Sequence, residues 1–246
     1  MYKGIYKFAG HIIEIFSLYV KVHRRCTNYR WEGTPEFSVK TNEADIFVER
    51  QKTAEADRQE GRIARDYSND YLETLAVYRK IVEVLIEKNI VLCHGSVIAV
   101  DGEGYLFTAK SGTGKSTHTR LWMEEFKERG VVVNDDKPLL EVTNAGIMVY
   151  GTPWDGKHRL SSNIVVPLKA VCVINRNEKN YVEIVDKKRI YPMLLQQIYR
   201  PYDSTRLSKT LKLMGQIMER AELYNIYCNM EPEAARIVYG GINGER

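Results

Sequence analysis

Residues 91–129 hold the stretch that most restricts how this chain can fold. Val91–Val100 is an apolar run, Asp101-Gly102-Glu103-Gly104 is a hairpin turn signal, and Tyr105-Leu106-Phe107-Thr108 reads as the returning strand. Ala109-Lys110-Ser111-Gly112-Thr113-Gly114-Lys115-Ser116-Thr117 follows. A helical pattern then runs to about Arg129, with Leu121, Trp122 and Phe126 as its apolar stripe and Gly130 suited to its left-handed stop. A strand, a glycine-rich loop and a helix in this order force the backbone to turn tightly at the end of a sheet strand.

That loop has the chemistry of a phosphate cradle. Without Cβ atoms in the way, backbone N–H groups converge on phosphate oxygens, and the following helix turns its positive end toward the same anion. In this reading Ser111, Gly112, Thr113, Gly114, Lys115, Ser116 and Thr117 hold a nucleoside triphosphate. Lys115 reaches its β- and γ-phosphates and the Ser116 hydroxyl takes a Mg2+ position. The usual pattern has glycine at position 109, where this chain has Ala109; a loop entered with negative φ accepts alanine there.

Two further elements belong with the loop. Asn134-Asp135-Asp136 ends the apolar strand Val131-Val132-Val133. That strand is expected beside the strand feeding the loop, so that both carboxylates arrive at the triphosphate. One carboxylate then holds the metal and the other accepts the proton of an attacking hydroxyl. His94, on the first strand of the hairpin, is placed to touch the γ-phosphate, ligate the metal or assist proton transfer; a satisfied core histidine is its other reading.

The rest of the chain frames this centre. Within residues 1–50, Ile5-Tyr6-Lys7-Phe8, Ile12-Ile13-Glu14-Ile15, Phe37-Ser38-Val39-Lys40 and Ile46-Phe47-Val48-Glu49 alternate as short strands do. The charge-rich residues 51–66 read as an exposed connection, giving a small β-rich lobe over 1–66 and a second domain over 67–246. A helix capped by Ser68 carries Leu72, Leu75, Val82 and Leu85 on one face, with Glu73 mostly off it. Later come a hairpin around Asn144-Ala145-Gly146, strands at 170–174 and 181–185, helices over 187–199 and 204–220, a strand at 224–228 and a last short helix. The loop Thr152–Arg159 offers an aromatic platform in Trp154 and cations in Lys157 and Arg159, a set suited to gripping an acidic or small polar acceptor. Its other reading has Trp154 anchoring the loop and the charges merely solvated.

Thirty-six Lys and Arg against thirty-two Asp and Glu leave +4, too little for a dedicated nucleic-acid surface. Cys26, Cys93, Cys172 and Cys228 are scattered without ligand spacing, which argues for buried thiols in a cytoplasmic protein over a zinc site or a disulfide framework. The longest apolar stretches, such as Ile12–Val20, are too short for a membrane span.

In order, Cys93-His94-Gly95, the hairpin, Ser111-Gly112-Thr113-Gly114-Lys115-Ser116, a helix and Asp135-Asp136 resemble the catalytic domain of the HPr kinase/phosphorylase family. Members phosphorylate a serine of a sugar-transport carrier protein, and their phosphate-loop arrangement is shared with phosphoenolpyruvate carboxykinase. The antiparallel hairpin entering the loop separates both from parallel P-loop NTPases. The close match spans about 93–137; in place of the family's carrier-protein segment stand Gly151-Thr152-Pro153-Trp154-Asp155-Gly156-Lys157. The resemblance implies a mixed-sheet α/β fold with a core of that kind, and an ATP- and Mg2+-dependent kinase acting on a serine-type hydroxyl of a peptide, protein or small molecule. It also implies Asp135 as base, Asp136 and Ser116 at the metal, Lys115 at the ATP phosphates, and His94 as the histidine of the motif's His-Gly, among the catalytic residues. The order of the two aspartates is open, as is self-association. Two other functions fit the same motifs: a nucleotide-binding regulatory module without catalysis, and an ATPase with no phosphorylated acceptor.

Overall fold

Antiparallel pairing of β1 (Tyr2–Phe8) with β2 (His11–Ser17) opens the fold. The computed structural model describes residues 1–59, 61–110, 113–156 and 158–244. Ala9 and Gly10 both carry positive φ between the two strands, the backbone that a two-residue hairpin turn requires. β3 (Phe37–Lys40) adds parallel to β2, and α1 (Lys21–Arg25), α2 (Glu43–Gln59) and α3 (Asn69–Leu85) complete the first of two compact units, Met1–Leu85.

This unit is mixed and not β-rich. Ile46–Glu49, read as a strand, lies inside α2, and so does most of the stretch read as an exposed connection. The reason is a reciprocal cap: the Asn42 amide donates to Asp45 Oδ2 at 2.9 Å, and the Asp45 amide donates to Asn42 Oδ1 at 3.1 Å. A capped start favours a helix over the strand that the alternation of the next four residues suggests. Glu49 is then buried and paired with Arg79 of α3. Glu73, expected off the apolar face, is fully buried because it accepts from the Leu18 and Tyr19 amides and the Thr41 hydroxyl at 2.6–2.8 Å. These bonds tie α3 to the first unit, so the division falls after Leu85, not at the boundary drawn near residue 66.

The second unit, Ile86–Arg246, is built on one mixed sheet. Its strands are β4 (Ile90–Leu92), β5 (Ser96–Val100), β6 (Glu103–Thr108), β7 (Gly130–Asn134), β8 (Leu139–Val142), β9 (Ile147–Tyr150), β10 (Val165–Arg176), β11 (Tyr181–Ile184) and β12 (Glu222–Cys228). The order runs β4-β8-β9-β10-β6-β5-β7, with β12 beside β10 and β11 beside β12. β6 and β12 both run parallel to β10, whereas β5 is antiparallel to β6 and to β7. Four helices belong to this unit among the described residues: α4 (Lys115–Phe126), α5 (Lys187–Gln197), α6 (Ser204–Arg220) and α7 (Glu233–Asn243).

Both sheet faces are buried, which explains the nearly continuous apolar runs of β5 and β6. Ile98, Val100, Tyr105 and Phe107 join residues of α4 and α7 in one core, while Val97, Ala99 and Leu106 join residues of α5 and α6 in the other. The period of two along each strand decides which core a residue enters. At the end of α4 it is Lys127, at φ 46°, that takes the left-handed backbone; Gly130 is extended and starts β7. No helix of the described residues is long and apolar enough to cross a membrane.

Candidate active site

The glycine-rich loop leaves the carboxyl end of β6. Ala109 is buried and stays out of the left-handed region, as an alanine must. Gly114, at φ 118°, is the N-cap of α4; a side chain there would be strained whatever the surrounding space. Lys115 and Ser116 begin the helix, and its N-cap Gly114 has no side chain to bond the first amides, a start that suits an anion. The Lys115 ammonium donates to the Ala109 carbonyl at 3.3 Å, lying back across the loop. Thr113 and Thr117 are partly buried and Ser116 is exposed. Ser111 and Gly112 lie outside the described residues.

The strand next to β6 is not β7, as expected, but β5. Register rescues the geometry. Ser96 at the start of β5 pairs with Phe107 near the end of β6, and Val97 pairs with Asn134 at the end of β7. The turn before β5 therefore stands between the loop and the aspartates, and it carries His94. Ser96 and Thr119 share a 2.7 Å hydrogen bond between β5 and α4. Burial pushes the neighbouring Cys93 thiol up to about 12 against the opposing charge of Lys115, which places the lysine's field at this same corner.

His94 Nε2 lies 3.2 Å from Asp136 Oδ1, and Lys137 forms an ion pair with the other Asp136 oxygen. Buried Asn134 organises the turn: its Oδ1 accepts from the Asp136 and Lys137 amides at 2.9 and 2.6 Å, and its Nδ2 donates to the Thr152 carbonyl at 3.0 Å. Asp135 points elsewhere and accepts from the Gly156 amide at 2.6 Å. A Cβ on Gly156 would sit 2.9 Å from Asp135 Oδ2, so any other residue there would make the carboxylate or the loop shift.

These surroundings drive the two carboxylates apart. Burial, with Asp155 and Asp136 adding to it, raises Asp135 above the usual carboxylate range against the Gly156 amide. At Asp136 burial also acts upward, but the His94 hydrogen bond and the Lys137 charge outweigh it and hold the group well below that range. The two neighbouring carboxyls therefore differ in how readily each gives up its proton.

Among the described residues no cluster of three or more His, Cys, Asp or Glu is arranged to hold a metal. Magnesium on a nucleotide needs less: one or two carboxylates, a hydroxyl and phosphate oxygens. An ionised Asp136 and an exposed Ser116 suit that donor set. Of the residues expected to face an acceptor, Trp154 is 1% exposed and is a loop anchor, not a platform. Thr152 beside it is buried and bonded to Asn134, which fastens the loop to the aspartate turn. Arg159 is exposed with φ 52°, and Lys157 lies outside the described residues. The letters name Asn134, Asp155 and Gly156 only within longer runs and give none of them a role of its own. Their one signal was spacing, since each sits in an Asn-Asp-Asp or Asp-Gly turn beside a named candidate.

No family model matches the chain, and no curated protein matches it. Among solved structures, the Hpr(Ser) kinase/phosphatase from Coxiella burnetii aligns at a TM-score of 0.33 and 13% identity, over 63% of this chain and 95% of that chain. The alignment is loose, and the mixed α/β class stands on this chain's own sheet.

Proposed function

We propose that this chain is an ATP- and Mg2+-dependent kinase that transfers the γ-phosphoryl group to a serine-type hydroxyl of a peptide, protein or small molecule. One observation carries the reading: the turn bearing His94, which contacts Asp136, leads into β5, whose register lies between the end of β6, where the loop starts, and the end of β7, where Asp135 and Asp136 follow. An uncapped helix start and Lys115 suit the phosphates. Asp135, raised above the usual carboxylate range by burial and held by the Gly156 amide, is the carboxyl we assign to accept the hydroxyl proton. Asp136 and Ser116 would hold Mg2+, which when bound neutralises charge across the β- and γ-phosphates. His94, held by Asp136, suits a donor to the γ-phosphoryl oxygens. The antiparallel β5–β6 hairpin entering the loop supports a core of the HPr-kinase and phosphoenolpyruvate-carboxykinase kind, in keeping with the sequence resemblance. Four buried thiols suit a cytoplasmic setting.

Product analysis tests this. Mg·ATP is incubated with a mixed pool of peptides and serine-like metabolites and read by mass spectrometry. A phosphorylated acceptor together with ADP is expected. Free phosphate alone would make the chain an ATPase, and binding without turnover would make it a regulatory nucleotide module.

A further inference from the structure

Helix α6 and the turn between β8 and β9 enclose a groove of about 680 Å3 in the second unit. Val142 and Leu213 line its base and belong to the core beneath. Its walls carry Lys209, Lys212 and Arg220 and no carboxylate. Glu87 lies beside the groove, 3.3 Å from Lys209 Nζ and 3.9 Å from Arg206 Nε, so two cations share one acid. Lys212 is exposed and pairs with no carboxylate among the described residues. Arg220 uses one of its five N–H donors on the Thr143 carbonyl. The Thr143 hydroxyl in turn accepts from the Ala145 and Gly146 amides at 3.2 Å, so the turn wall is formed in advance.

We infer that this groove docks an acidic, extended segment of a peptide or protein acceptor, an inference that rests on the kinase reading and narrows its substrate class. Charge gives the sign of the partner, and spacing gives its form. Lys209, Lys212 and Arg220 lie on one face of α6 and spread over roughly 16 Å at about 1.5 Å per residue. A single compact anion meets one of these cations at a time. Carboxylates on alternate residues of an extended chain, about 6.6 Å apart, meet all three. Ser208 and Gln216, between the cations, offer a hydroxyl and an amide to the segment's backbone. The groove also stands at a useful distance from the chemistry. Asn89 is in its wall, and β4 leads from there to His94, roughly 16 Å away at about 3.3 Å per residue. The Val142 amide donates to the Asn89 carbonyl at 3.0 Å at one end of β4, and the Gly95 amide donates to the Asp136 carbonyl at 3.0 Å beyond the other. An acceptor with acidic residues about five positions from its serine spans that length. Docking there makes delivery of the hydroxyl intramolecular and lowers the acceptor KM.

Paired serine peptides test this, identical except for a run of five Glu or five Gln placed about five residues to either side of the serine. Wild-type protein with Mg·ATP should phosphorylate the Glu peptide at a KM about tenfold below that of its Gln twin, and added salt should close the gap. Lys212→Glu should raise the KM for the Glu peptide about fivefold or more, the value of one exposed charge pair, and leave the Gln peptide and the ATP KM unchanged. Arg220→Gln, which keeps a donor for the Thr143 carbonyl, should do the same more mildly, and a thermal melt of each variant checks folding. Equal KM values for the two peptides, or unaltered values in both folded variants, would overturn the docking groove and leave the kinase reading intact. Phosphorylation of small molecules alone would do the same. Failure of wild-type protein to phosphorylate any acceptor would remove the kinase reading, and this inference with it.

Discussion

At Asp135 and Asp136, neighbouring residues of the same chemistry behave oppositely because each touches something different. Their signs give a stability prediction as well as a kinetic one. Asp135 ionises at a higher pH folded than unfolded, so its charge is a cost at neutral pH, one that grows as pH rises through the folded value. Asp136 ionises at a lower pH folded than unfolded. Its stabilisation is present above the ordinary aspartate value of about 3.9 and is lost as pH falls toward the folded value. Asp135→Asn should therefore melt at or above the wild-type temperature at pH 7.5 yet lose turnover by about 100-fold or more, as removal of a general base does. Asp136→Asn should melt lower at pH 7.5, bind Mg·ATP more weakly, and approach wild-type stability in acid. Reversed melting shifts would sink the assignment. Lys115→Ala should reduce turnover by roughly 100- to 1,000-fold, the usual loss when one preorganised charge is removed. Its melting temperature should stay near wild type, because the ammonium reaches back to the Ala109 carbonyl of its own loop and the side chain belongs to neither core.

The loop of residues 152–159 shows what an element contributes beyond its side chains. Its buried Thr152 and Trp154 hold it in place, and its function toward Asp135 is a backbone amide delivered by Gly156. Gly156→Ala would put a methyl group 2.9 Å from Asp135 Oδ2, so the loop or the carboxylate must move. The expected result is lower kcat with nearly unchanged ATP affinity, measured by steady-state kinetics and calorimetry. Equal losses in both would put the loop on the nucleotide side. Helix α2 carries the complementary lesson. Ile46-Phe47-Val48-Glu49 alternates like a strand, yet the Asn42–Asp45 cap starts a helix there, and Phe47 is left 60% exposed. Local capping chemistry was legible in those letters, but its precedence over alternation was settled by the buried Glu49–Arg79 pair, which no local pattern announces.

At the scale of the whole molecule, buried histidine adds to the response to acid. His118 sits at 2% exposure against Phe107, accepts from Trp122 Nε1 at 2.9 Å, and burial lowers its pKa to about 3. The unfolded chain protonates this group near 6.5 and the folded chain does not, so stability falls as pH drops from about 6.5 toward 3. Between pH 7.5 and 5 this one residue should cost about 2 kcal/mol in urea unfolding, and His118→Gln, which keeps an acceptor for Trp122, should flatten the slope. An unchanged slope would show that His118 is protonated in the native state. His23 in the first unit shifts in the same direction by burial. The hairpin, the glycine-rich loop, the helix after it and the run Asn134-Asp135-Asp136 could all be read from the letters. Turn residues, caps and apolar periods act over a few neighbouring positions, where sequence and geometry are nearly the same thing. Strand neighbours, the burial of Trp154 and Glu73, and the split between Asp135 and Asp136 could not. They depend on which distant segments meet, as when β5 comes between β6 and β7 and its register alone brings His94 to Asp136.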